Sequence, residues 1–193
     1  MEKHVKIYIN APITLSFVAI SVIATILGII TDGKSTILLF STYRSSPLNP
    51  LTYLRLFGHI FGHADLSHLF NNMIYILLLG PILEEKYHKN LIPIIGSVAL
   101  ITGVLHNLFS NSVLLGASGI VFAFILLSSI TGKEDGIPVT LIFVALFYLG
   151  GEIVNAVTMH DNISQMTHII GGISGAGIGL AIKKHQLSKT NNY

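Results

Sequence analysis

The stretch GHIFGHADLSHLFNNM, residues 58–73, places three histidines and two asparagines at the head of a segment that is otherwise apolar. Polar side chains are costly in hydrocarbon, so they are expected to face a bundle interior or a water-filled cavity. His68 and Asn72 are four residues apart, which puts both on one face of a helix. A site on this face requires other polar groups at the same depth.

The composition is that of an integral membrane protein. Of the 193 residues, 51% are hydrophobic and 10% are charged, whereas soluble domains carry about 25% charged residues. The net charge of +2 is too small to indicate a nucleic-acid partner. The absence of cysteine excludes disulfides, thiolate metal sites and cysteine nucleophiles.

Six apolar segments approach the length of a membrane span, about 17–25 residues, although the fourth is short. They are roughly 12–30, 67–83, 91–108, 117–131, 137–156 and 165–182. No small-x-small cleavage site follows the first segment, so we expect it to be retained as a helix. The sequence predicts an all-α bundle of six transmembrane helices, forming a single domain over residues 1–193.

Basic residues predict the orientation, because they accumulate on the cytoplasmic side. One side holds Lys3, Lys6, Lys86, Lys89, Lys133, Lys183, Lys184 and Lys189, and the other holds Lys34, Arg44 and Arg55. Eight against three predicts that both termini are cytoplasmic. Segments two, four and six then run from outside to inside.

The number of residues between each polar side chain and the cytoplasmic charge at the end of its segment gives the depth of that side chain in the membrane. His68 lies sixteen residues before Glu84, about 24 Å along a helix. Ser118 and His168 each lie fifteen residues before a lysine, Lys133 and Lys183, roughly 22 Å. The three side chains are therefore expected in one layer, about 5–10 Å below the outer surface. Interhelical hydrogen bonding is the alternative role for each residue alone.

Ser118 lies between two glycines in LLGASGIVFA, residues 114–123. Gly116 and Gly119 permit a tight turn into a helix, and residues 109–115 have no charge, which favours a loop dipping into the membrane. A serine at a helix start is usually an N-cap. Here the short fourth segment leaves room for water above it.

A serine needs a base to act as a nucleophile, and His168 is the candidate. Gly171, Gly175 and Gly179 follow it at spacings of four, a small-residue stripe that permits close helix packing. The stripe also fits plain packing. The N–H of Ser118 and the side chains of Asn72 and His68 are candidate donors to an oxyanion.

Together these residues resemble the rhomboid family of intramembrane serine proteases, in its six-helix bacterial form. The matching motifs are Gly116-Ala117-Ser118-Gly119 for the nucleophile, His68 and Asn72 in the second helix, and His168, Gly171 and Gly175 in the last helix. Softer matches are Arg55 in the first loop, His63, Gly80 and Glu84.

Two positions depart from the family pattern. Phe122 stands where bacterial members often have a tyrosine stacked on the catalytic histidine, and Leu54 replaces the aromatic residue before Arg55. A phenyl ring is still expected to stack on His168.

The resemblance implies a serine endopeptidase with a Ser118–His168 dyad, an acyl-enzyme intermediate and no cofactor. It implies single-span membrane proteins as substrates, cut near the outer interface after lateral entry. The protein is then expected in the cell membrane (plasma or inner) as a multi-pass protein, with its site open to the extracytoplasmic side. The lipid bilayer is the other expected partner, and no nucleic acid or metal is expected.

Other functions remain open. His59 and His63 have the spacing of a helical metal pair, but no glutamate follows His59 as in the zinc-protease pattern. A chaperone or binding module of the same fold is a non-catalytic alternative, and a transporter is disfavoured because inverted halves are absent. Glu152, His88, His106 and His160 receive no role.

Overall fold

The computed structural model describes residues 7–130, 135–158 and 162–190. These ranges contain eight α-helices: α1 (Pro12–Ile30), α2 (Lys34–Leu39), α3 (Pro50–Gly58), α4 (Leu66–Tyr87), α5 (Leu91–Phe109), α6 (Ser118–Ser128), α7 (Val139–Thr158) and α8 (Asn162–Thr190). Short 3-10 turns occupy His59–Phe61 and His88–Asn90. The all-α class predicted from the sequence is confirmed within the described residues.

The six predicted segments correspond to α1 and α4–α8, and the bounds of the first segment match those of α1. The largest difference is in α8, which continues to Thr190 instead of ending near 182. The helices α2 and α3 were not among the predicted segments. Both lie in residues 31–65, which join α1 to α4 and are called here the first connection.

Three stretches are long and apolar enough to cross a membrane: Pro12–Ile30, Leu66–Phe109 and Gln165–Ser188. The second stretch contains both α4 and α5, and shorter apolar helices lie at Ser118–Ser128 and Val139–Gly151. Large apolar side chains such as Leu78 and Phe147 are exposed on the outside, as expected in lipid. The chain is a multi-pass membrane protein, whereas the count of six spans stays a prediction.

Glu84 joins the start of α1 to the end of α4. Its buried carboxylate accepts hydrogen bonds from the N–H groups of Ile13 and Thr14, at 2.8 and 2.9 Å, and from the Thr14 hydroxyl at 2.8 Å. A negative charge is stabilised there because the first N–H groups of a helix lack intrahelical partners. Glu84 therefore lies beside the first residues of α1, and its use as a depth marker stays a prediction.

The helix α6 is the centre of the bundle, and most of its residues are buried. Gly171 of α8 lies against the backbone of Gly119, and a Cβ on Gly175 would lie 2.6 Å from the Cα of Ala123. Contacting positions advance together along the two helices, so α6 and α8 run parallel. The glycine stripe is what permits this backbone contact.

Candidate active site

Ser118 is the first residue of α6 and is half-buried. The N-cap position belongs to Ala117, and no side chain caps this helix end. The alternative that Ser118 serves as the N-cap is therefore wrong. Residues 110–117, called here the serine loop, turn sharply at Gly116, whose φ of 123° is a conformation that favours glycine.

The polar face of α4 meets the serine loop at Gly116. A Cβ on Gly116 would lie 2.8 Å from Cε1 and Nε2 of His68 and 3.9 Å from Nδ2 of Asn72. Asp65 accepts a hydrogen bond from the N–H of His68 at 2.8 Å and so caps the start of α4. The structure thus brings His68 and Asn72 to the start of α6, at the level of Ser118.

Asn72 carries an unsatisfied donor at this point. Its side chain is 6% exposed, and its Nδ2 has no hydrogen-bond partner. A buried donor without a partner costs about 1–3 kcal/mol of stability, so such groups are uncommon. An N–H donor that is already desolvated is suited to a negative oxygen that arrives with a ligand.

His168 lies on α8 beside Phe122 of α6. The two rings are stacked, with centroids 4.5 Å apart and planes inclined by 7°. On the other side, a Cβ on Gly119 would lie 3.4 Å from Cγ2 of Thr167, the residue before His168. His168 therefore lies beside the first turn of α6, which begins at Ser118. Phe122 stacks on it without a hydroxyl group.

A third ring extends this stack toward α7. The Phe122 and Tyr148 centroids are 6.2 Å apart, with the planes inclined by 85°. Edge-to-face pairs of this kind contribute about 0.5–1.5 kcal/mol beyond area burial. The sequence analysis assigned no role to Tyr148, because an aromatic residue within an apolar segment carries no signal of its own.

Arg55 and His63 lie outside the immediate site. The Arg55 guanidinium is buried, donates from Nε to the carbonyl of Leu38 at 3.0 Å, and lies 4.5 Å from the Tyr43 ring centroid. The His63 ring makes an edge-to-face contact with His68, with centroids 5.0 Å apart. His63 therefore supports the polar face of α4, whereas Arg55 organises the first connection.

The metal alternative receives no support. The His59 ring nitrogens lie 3.2 Å from the carbonyl oxygen of Arg55 and 3.3 Å from the hydroxyl of Thr102. Nδ1 is the nitrogen that donates, since a carbonyl oxygen can only accept, and both ring nitrogens therefore face protein groups. Within the described residues, no group of three or more His, Cys, Asp or Glu side chains is placed to hold a metal.

Three residues named in the sequence analysis lie outside the part of the chain that the structure describes: Lys133, His160 and the side chain of Glu152.

Burial holds both His59 and His63 neutral. It lowers the pKa of His59 to about 4, and the nearby His106 adds to this effect. Burial also lowers the pKa of His63 to about 4, with a smaller contribution from His68.

Thr102 and His106 are polar residues of α5 that the sequence did not assign to a site. Both are buried, and His106 Nε2 lies 3.0 Å from the carbonyl oxygen of Ser112 in the serine loop. The signal that could have found them is their spacing of four, which puts both on one face of an apolar helix.

Comparison with known proteins gives a consistent family. A model of the Rhomboid domain matches residues 50–185. Rhomboid protease GlpG of Salmonella choleraesuis (strain SC-B67) is 28% identical over 104 residues, which are 53% of this chain and 38% of that protein. Rhomboid protease GlpG of Salmonella newport (strain SL254) is 27% identical over 104 residues, again 53% of this chain and 38% of that protein. The chain spans well under half the length of these relatives. Because the family model covers more than half of it, this chain belongs to the rhomboid family.

Proposed function

We propose that this protein is an intramembrane serine endopeptidase that uses Ser118 as nucleophile and His168 as general base. The observation that carries the proposal is the packing of α8 on α6. His168 stacks on Phe122, one turn after Ser118. The α4 residues His68 and Asn72 lie near Gly116, just before Ser118, and support the proposal as well. Family membership and the similarity to Rhomboid protease GlpG support the same reaction class.

In the proposed reaction, Ser118 Oγ attacks the carbonyl carbon of a substrate peptide bond while His168 accepts the hydroxyl proton. The resulting tetrahedral oxyanion is stabilised by the Ser118 N–H and by donors of Asn72 and His68. The C–N bond then breaks, and His168 gives its proton to the leaving amine. Water hydrolyses the Ser118 ester and restores the free serine.

The substrates we propose are single-span membrane proteins. A peptide bond inside a helix has its carbonyl engaged in the helical hydrogen bonds, so the segment must unwind before attack. Segments with small or helix-breaking residues near the extracytoplasmic interface are therefore preferred. We further propose six spans in one domain, cytoplasmic termini and a site opening to the extracytoplasmic side of the cell membrane.

The test is cleavage of a defined reporter in vesicles: a single-span peptide with a Gly-Ala pair near its outer end. We expect cleavage by the wild-type protein and none by Ser118→Ala or His168→Ala. Equal cleavage by Ser118→Ala would contradict the assignment of the nucleophile. Reporter binding without cleavage by any of the three would instead favour the chaperone or binding-module alternative.

A further inference from the structure

Two separate links connect the first connection to the serine loop. Thr42 and Leu114 form an antiparallel β-bridge, in which each N–H donates to the other carbonyl at 2.8 Å. The N–H of Gly116 donates to the carbonyl of His59 at 2.9 Å. The two links thus fix Leu114 and Gly116, which lie four and two residues before Ser118 in the serine loop.

The second link continues to Arg55 inside the first connection. His59 is 1% exposed, and its Nδ1 donates to the Arg55 carbonyl at 3.2 Å. The Arg55 side chain is 4% exposed and turns the other way, donating from Nε to Leu38 at the end of α2. The link therefore runs from Gly116 through His59 to the backbone of Arg55, whose buried side chain continues to Leu38.

Tyr43 joins the two links. Its ring covers the Arg55 guanidinium at 4.5 Å, and its backbone directly follows Thr42, which pairs with Leu114. A planar guanidinium is attracted to an aromatic face, and this attraction is stronger when the pair is desolvated. The residue next to Arg55 in the sequence, Leu54, is 52% exposed and has no ring to offer.

We infer that Tyr43 is a positioning residue that holds the serine loop in the conformation Ser118 needs for attack. It supplies, from twelve positions earlier in the chain, an aromatic contact to Arg55. The effect on reactivity rests on the proposed function of Ser118, whereas the effect on the loop does not. Tyr43 itself touches neither the serine nor a substrate.

Backbone hydrogen exchange tests the inference independently of activity. The N–H groups of Leu114 and Gly116 are the ones that the two links protect, and their exchange reports local opening. We expect Tyr43→Leu to raise the exchange rate in a peptide covering residues 110–117 by about two- to thirtyfold. This factor corresponds to the range of cation–π interaction energies. Tyr43→Phe keeps the ring and should exchange like the wild type. Tyr53→Leu, at an exposed tyrosine of α3, is the matched control.

The second readout is the rate at which a fluorophosphonate probe labels Ser118 in the same detergent samples. Tyr43→Leu should label more slowly by a similar factor at temperatures well below its unfolding midpoint, while Tyr43→Phe and Tyr53→Leu should not. If Tyr43→Leu does not fold, Arg55→Lys keeps the charge but removes the planar stack, and the same changes are expected.

The outcomes separate the inference from the proposed function. Unchanged exchange in folded Tyr43→Leu would overturn the inference, whether or not the protein is active. Raised exchange with unchanged labelling would overturn the positioning role. No labelling of the wild type would count against the proposed function, and raised exchange in that case would still support the link from Tyr43 to the loop.

Discussion

The ring of Phe122 lies parallel to the imidazole of His168, with a centroid distance of 4.5 Å and an angle of 7° between the planes. This stack restricts rotation of His168 about its side-chain bonds. An aromatic pair of this kind contributes about 0.5–1.5 kcal/mol, which corresponds to two- to tenfold in a rate. Phe122→Leu should therefore slow fluorophosphonate labelling of Ser118 by about that factor.

Phe122→Tyr is the control for this prediction, because it keeps the stacked ring and adds a hydroxyl group. It should label at close to the wild-type rate. Labelling of Phe122→Leu at the wild-type rate would mean that the stack does not orient His168.

The packing of α8 on α6 predicts different effects for two glycines of the same helix. A Cβ on Gly171 would collide with the backbone of Gly119, next to Ser118, whereas nothing lies within 4 Å of one on Gly177. Gly171→Ala must push the helices apart and should cost about 1–3 kcal/mol of stability. Gly177→Ala should be neutral or slightly stabilising, because alanine favours helices over glycine by up to about 1 kcal/mol.

Thermal unfolding in detergent, followed by circular dichroism, measures this difference. Gly171→Ala should also lose most of its labelling by the fluorophosphonate probe. Equal unfolding midpoints for the two variants would show that α8 does not contact α6 through Gly171.

Substitution of Asn72 should lower activity without lowering stability. Its Nδ2 is buried without a partner, so Asn72→Ala removes an unsatisfied donor and should leave the unfolding midpoint unchanged or raise it. Loss of an oxyanion donor should nonetheless lower the turnover of a cleaved reporter by about 10²–10³. Asn71→Ala, the neighbouring exposed asparagine, should change neither quantity. A fully active Asn72→Ala variant would remove Asn72 from the proposed oxyanion site.

Stability should fall as the pH drops from about 6.5 to about 4. Burial lowers the pKa of His59 to about 4, so the unfolded chain binds a proton in this window that the folded protein does not. The loss for one such group is about 3 kcal/mol, since each pKa unit is worth 1.36 kcal/mol. The measurement is the unfolding midpoint at a series of pH values.

His59→Gln should lessen this dependence, and His63, whose pKa is also lowered to about 4, should supply the remainder. The variant should also be less stable at neutral pH, because it disturbs the contacts with Arg55 and Thr102. The exposed His185 is the control, and His185→Gln should leave the slope unchanged. A His59→Gln slope equal to that of the wild type would contradict the assignment to His59.

The long apolar helices could be predicted because each carries its own signal. Pro12 sits at the first turn of α1, where its missing N–H has no cost, and α1 begins at this residue. The spacing of Gly171 and Gly175 predicted close packing, and the structure places them against the backbone of α6. In both cases the information lies within one segment.

Features that depend on distant residues could not be read from the sequence. The helices α2 and α3 have six and nine residues, too few for a periodic pattern to be recognised. The contact between Tyr43 and Arg55 depends on how the first connection folds back. The burial of Glu84 depends on α1 beginning beside it, which no pattern in α4 indicates.

The most direct test of the central claim is labelling with a serine-directed fluorophosphonate probe on detergent-solubilised protein. Wild type, Ser118→Ala and His168→Ala are compared, with circular dichroism to establish that each is folded. The account predicts labelling of the wild type at Ser118 and none of either variant. Equal failure of all three folded proteins would contradict an activated serine, and labelling of Ser118→Ala would place the reactive group elsewhere.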